Sequence, residues 1–191
     1  MIETTRAVER SFPASVVLRR ALAVVAGAVL VSLAAQAAVP IPGTPVPITL
    51  QVPAVLIVGG LLGPSLGASS LALYLVLGAT GLPVFAPGGL PGAARLFGPT
   101  GGYLLAYPLA AAVAGLGVAA GRRWSRLAVA LICATVVIHL GGVAQLALLG
   151  GDVSIAWRLG SVPFLAGDVA KLLFAGLIVG RFAPPARRAL H

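Results

Sequence analysis

Six apolar segments, at about 17–39, 52–63, 66–80, 102–120, 127–149 and 163–182, take up most of this 191-residue chain. About 20 apolar residues cross the hydrocarbon of a bilayer as a helix, and a helix satisfies its own backbone polar groups there. Charged residues are 9% of the chain, against roughly 25% in soluble domains, too few to coat a water-facing surface. The expectation is an all-α membrane protein, a single six-helix domain over residues 1–191 with each segment a transmembrane helix.

The second and third segments are short, and only Gly63-Pro64 separates them, so they read as two helices or as one kinked span. Positive charge decides between these, because arginines concentrate on the cytoplasmic side. With six spans and both termini cytoplasmic, Arg6, Arg10, Arg19, Arg20, Arg122, Arg123, Arg126, Arg181, Arg187 and Arg188 fall inside, and Arg95 and Arg158 outside. Merging the two short segments would divide the clusters between the two sides. Arginines followed by an apolar run ending in Ala35-Gln36-Ala37 imitate a signal peptide, but Ala21 to Val39 exceeds the roughly 7–15 residues of a signal core. A retained first helix is expected.

The net charge of +9 would suggest nucleic acid in a soluble protein. Here the arginines border apolar segments, where they meet lipid headgroups, so the bilayer is the expected partner and nucleic acid is not. Cys133 is the sole cysteine, which excludes an intrachain disulfide and a multi-cysteine metal site; it reads as core filler.

Two loops stand out. Residues 39–53, VPIPGTPVPITLQVP, hold five prolines and should lie extended with their carbonyls free. Residues 81–104 are rich in glycine and proline, and their Gly-Pro-Thr-Gly-Gly precedes a helix, where backbone N–H groups can hold an anion or a carbonyl. Both loops are poor in charge, which predicts lids folded over a pocket.

The last segment carries Asp168 and Lys171, the chain's one lysine, three residues apart and so on one helix face. A charge at mid-bilayer costs roughly 2.5–3.5 kcal/mol on insertion scales and usually marks a substrate path. The pair reads either as an internal salt bridge or as the lining of a polar ligand site. Arg95 is either an exposed loop residue or a clamp for an acid group, which its planar fork suits. Thr49 and Gln51 stand where the first loop enters segment two, well placed for a ligand. Ser69, Ser70, His139 and Gln145 fit hydrogen bonds between helices, and no second His or Cys lies at ligand spacing from His139 to make a metal site. Ala23 and Gly27, with Ala28 and Ser32, give small-xxx-small spacing for a partner helix or for internal packing.

Enzyme signatures are missing: there is no G-x-x-x-x-G-K-[ST] for ATP, GASSLA lacks the glycine that a nucleophile turn needs, and nothing in the sequence orients His139 for a serine.

Taken in order, PIPGTPVPITLQ, GLPVFAPGG, GPTGGYLLAY and GDVAKLLFAG resemble the BioY family from about residue 17 to 182. Those proteins are biotin-specific substrate-binding (S) components of energy-coupling factor transporters. The resemblance implies the six-helix S-component fold, high-affinity biotin binding without a cofactor, and uptake across the cytoplasmic membrane of a prokaryote. It also implies a transmembrane coupling protein and two ATPase subunits as partners, shared or absent in some members. The family's aspartate and lysine in the last helix fall on Asp168 and Lys171. Lys171, with Arg95 as a second cation, would take the carboxylate of biotin, and Asp168 its ureido N–H groups. Phe85, Tyr74, Tyr103 and Trp157 would wall the apolar parts, and Gly98, Thr100 and Gly101 would bring backbone N–H groups near. The rival readings are a stand-alone secondary transporter of another small carboxylate, using the same cations, and a structural protein with the pair as an internal bridge.

Overall fold

The computed structural model describes residues 13–119 and 124–190; Arg6, Arg10, Arg122 and Arg123 lie outside the described residues. Helices occupy the apolar segments: α1 (Ala14–Gln36), α2 (Gln51–Leu62), α3 (Pro64–Ala79), α5 (Gly101–Ala119), α6 (Trp124–Gly150) and α8 (Leu165–Ala189). Two short helices sit in the connections, α4 (Ala94–Phe97) and α7 (Val153–Gly160).

α1, α5 and α6 are each long and apolar enough to cross a membrane, and α7 with α8 meets the same standard as a pair bent by 54°. α2 and α3 do not by length alone. At 1.5 Å per residue α2 is about 18 Å long, well under the hydrocarbon thickness. Its surroundings explain how it is tolerated: Gln51, Pro53 and every residue from Ala54 to Gly60 are buried, with α5, α8, α3 and α1 packed around it. Short helices at membrane depth are stable where protein rather than lipid surrounds their ends. Gly63, at φ 88°, makes the break, and Pro64 starts α3.

Glycines let this central helix be approached closely. A Cβ on Gly59 would overlap the Ala111 carbonyl of α5, and one on Gly60 would come within 2.5 Å of Val179 of α8. Gly27 serves α1 in the same way: a Cβ there would lie 2.6 Å from Ser70 Oγ and 3.0 Å from Val58 Cγ1. The small-residue spacing of Ala23 and Gly27 therefore works inside the chain at Gly27, which is buried, and Ala23 is half-buried. The outward faces carry Leu22, Val29, Leu33, Ile132, Leu173 and Leu177, as helices facing lipid do.

Two sequence expectations are corrected. The 39–53 loop is neither wholly free of backbone pairing nor wholly non-helical, because a short antiparallel ribbon, β1 (Ala38–Val39) with β2 (Ile48–Thr49), closes it and Gln51 to Pro53 form the first turn of α2. Cys133 is exposed on α6 rather than buried.

At one end of the bundle, Arg187 Nη2 donates to the carbonyls of Gly60 (3.1 Å) and Gly115 (2.8 Å), and Arg20 Nε to Leu190 O (3.0 Å). The start of α1, the α2–α3 break and the end of α8 therefore share that end. The ribbon, the 81–100 loop and α7 gather at the other.

Candidate functional site

Beneath the two proline- and glycine-rich loops lies a cleft with about 600 Å³ of atom-free space, its mouth included. It is lined by Val46, Pro47, Thr49, Gln51, Val52, Ala86, Arg95, Thr100, Tyr103, Leu104, Tyr107, Ile138, His139, Phe164, Asp168 and Lys171. Apolar walls with a few convergent polar groups suit a ligand that is itself mostly apolar.

Asp168 and Lys171 meet there. The lysine Nζ donates to Asp168 Oδ1 at 2.9 Å, one turn along α8, with both side chains largely buried. The two sequence readings, internal bridge and cleft lining, therefore both describe the pair. Asp168 Oδ2 is 2.7 Å from His139 Nε2 of α6, and His139 Nδ1 is 2.9 Å from Ser161 Oγ.

This overturns the expectation that nothing orients His139. The Ser161–His139–Asp168 chain has the connectivity of a hydrolase triad, but Ser161 is 0% exposed, so its hydroxyl cannot meet a substrate. The expected hydrogen bond between helices is made, from α6 to α8, but His139 also lines the cleft, a place the sequence reading did not give it. Its signal was its place as an ionisable group deep in an apolar segment.

Arg95, placed by the single turn of α4 and 6% exposed, lines the cleft as well. One Nη donates to Ala86 O at 2.9 Å, whereas Nε is buried without a hydrogen-bond partner. Burial pulls the guanidinium below its ordinary pKa. Gly89 makes room for it, since a Cβ there would overlap the guanidinium. A second, more open space lined by Pro40, Thr44, Pro47, Gly89, Arg95 and Thr100 lies between the two loops, so Arg95 and Thr100 stand where the cleft opens.

Thr49 and Gln51 line the cleft through a local chain: Thr49 Oγ1 donates to Gln51 Oε1 at 3.2 Å, and Gln51 Nε2 to Tyr74 Oη at 2.7 Å. Tyr74, 0% exposed, thus stands behind the wall rather than on it, with Phe85 edge-on to it at 5.4 Å. Trp157 is 46% exposed on α7 and does not line the cleft.

The backbone N–H groups expected from Gly98 and Gly101 are used within the turn, donating to Arg95 O (3.2 Å) and Gly98 O (3.0 Å). Gly101 serves packing instead. Gln145 of α6 donates to Leu96 O (2.9 Å) and Gly98 O (2.8 Å), and a Cβ on Gly101 would overlap Leu96 O. Thr100 and Tyr103 do line the cleft, and Tyr103 Oη donates to Gly160 O at 2.6 Å.

Comparison with known proteins points in one direction. A family model described as "BioY family" matches residues 5–188. A protein of Pyrococcus horikoshii named "Probable biotin transporter BioY" is 43% identical over 152 residues, covering 80% of this chain and 88% of the relative. A "Biotin transporter BioY" of Thermotoga maritima is 40% identical over 141 residues, covering 74% and 83%. A crystal structure titled as the S-component for biotin from an ECF-type ABC transporter superposes with a TM-score of 0.80 at 25% identity, over 90% of this chain and 94% of that one.

Proposed function

This chain belongs to the BioY family, a family of transporter components and not of enzymes, and we propose that it binds biotin as the substrate-specific component of an energy-coupling factor transporter. The observation that carries this reading is the Asp168–Lys171 pair lining the same cleft as the Arg95 guanidinium, whose Nε is without a hydrogen-bond partner among the described residues.

Charge assigns the two ends of the ligand. Lys171 is already balanced by Asp168, so the pair presents N–H donors and carboxylate lone pairs side by side with little net charge. That matches a ureido ring, which has one carbonyl and two N–H groups. Arg95 has no acidic partner among the described residues and suits the carboxylate of the tail. This reverses the sequence-based preference for Lys171 as the carboxylate partner. The apolar middle of biotin would lie along Val46, Val52, Leu104, Ile138 and Phe164.

All six longer helices, we propose, cross the cytoplasmic membrane of a prokaryote. Both termini would lie inside with the Arg20 and Arg187 end, and the loop-covered cleft would face outside. A transmembrane coupling protein and two ATPase subunits would supply the energy. The test is equilibrium binding of labelled biotin to detergent-solubilised wild-type protein without ATP or an ion gradient. Saturable tight binding, lost in Lys171→Ala, is expected; absence of wild-type binding sinks the reading.

A further inference from the structure

His139 lines the cleft, yet the proposed ligand contacts give it no task. Its place is informative. α8 packs chiefly on α2, and beside its α6 face runs an apolar groove lined by Leu131, Ile132, Leu172, Leu173 and Gly176, among others. Even a Cβ added at Gly176 would meet only Leu131, at 3.7 Å. The two helices pack closely at Gly180, where a Cβ would lie 2.3 Å from Trp124, and the seam loosens toward the end of α8 that carries Asp168 and Lys171, so packing there does not by itself fix where those two side chains aim. The 2.7 Å contact from His139 Nε2 to Asp168 Oδ2 crosses this seam two turns further along α6.

We propose that His139 is a positioning residue: it fixes the Asp168 carboxylate, and with it the Lys171 ammonium, against the rest of the cleft. For its effect on ligand this rests on the biotin reading above; in the unliganded protein it stands alone.

The hydrogen bonds have one consistent direction. A carboxylate only accepts, so Nε2 carries the hydrogen, and in the neutral ring Nδ1 accepts from the Ser161 hydroxyl. Ser161 is an anchor because it directly follows the end of α7, which two other elements hold. Leu159 O accepts from Thr44 Oγ1 of the proline-rich loop at 2.7 Å, Gly160 O accepts from Tyr103 of α5, and Ser161 holds His139 of α6. Without His139, Asp168 keeps only Lys171, which rides on the same helix and swings with it. With it, both carboxylate oxygens are fixed and each retains a lone pair for a ligand N–H.

The chain's two aspartates, Asp152 and Asp168, make the test direct. Carbon-13 aspartate labelling gives two carboxyl resonances, and Asp152, which caps α7, serves as internal reference. In unliganded His139→Phe the Asp168 resonance should move and broaden while Asp152 stays. His139→Gln, which keeps an N–H donor, should move it back toward wild type. Biotin affinity should fall about tenfold or more in His139→Phe and be largely restored in His139→Gln.

An unmoved Asp168 resonance in His139→Phe overturns the proposal, and so does equal loss of affinity in both variants. Should His139→Phe fail to fold, Ser161→Ala, which leaves the ring but removes its anchor, must move the Asp168 resonance the same way, and no movement there overturns the proposal. If wild-type protein binds no biotin, the ligand reading fails and the unliganded resonance alone decides the role of His139.

Discussion

Lys171 and Asp168 are bonded to each other at 2.9 Å and line one wall of the cleft together. A buried pair of this kind resists the loss of either member, because the survivor is left as an uncompensated charge at roughly 3–5 kcal/mol. Asp168→Ala and Lys171→Ala should each weaken biotin binding by about 100-fold or more, read by equilibrium binding. Exchanging the charges, Asp168→Lys with Lys171→Asp, keeps a bridge but sets a cation against His139. Wild-type affinity in the exchanged protein would show that the pair is structural only.

Gly89 and Arg95 provide a test of which end of the ligand meets which cation. Gly89→Ala puts a methyl where the guanidinium lies and must displace it. The expected result is weaker binding of biotin with little change for its methyl ester, which has no carboxylate charge to lose. Arg95→Ala should behave alike. Equal effects on acid and ester would place the carboxylate elsewhere.

Thr44 ties the 40–47 loop to the end of α7 through Leu159 O. One neutral hydrogen bond contributes about 1 kcal/mol, so Thr44→Val should speed release of bound biotin about fivefold by chase of labelled ligand. The association rate should change less, because the bond holds the closed loop rather than the open one. An unchanged release rate would mean that the loop does not gate exit.

Stability should separate two glycines. Gly59→Ala drives a methyl into the Ala111 carbonyl and should destabilise by about 1–3 kcal/mol, seen as a lower melting temperature in detergent. Gly167→Ala, on the exposed face of α8 with nothing within 4 Å, should raise it slightly through helix propensity. A loss of stability at Gly167 as large as at Gly59 would contradict this packing.

The sequence by itself determined the membrane class, the helical segments and the place of Asp168 and Lys171 on one face of an apolar helix, because apolar runs and scarce charge are local properties of the chain. It also marked Thr49, Gln51, Arg95, Thr100 and Tyr103, which the fold brings to one cleft. It did not reveal that Tyr74 and Phe85 stand behind the wall, that the turn itself uses the N–H groups of Gly98 and Gly101, or that the 39–53 loop closes as a ribbon. Nor did it join His139 to Asp168 across 29 residues or Thr44 to Leu159 across 115. Helix periodicity says which residues share a face, but which face meets which neighbour depends on how closely the glycines of α2 let α5 and α8 approach. That is settled only when the helices pack.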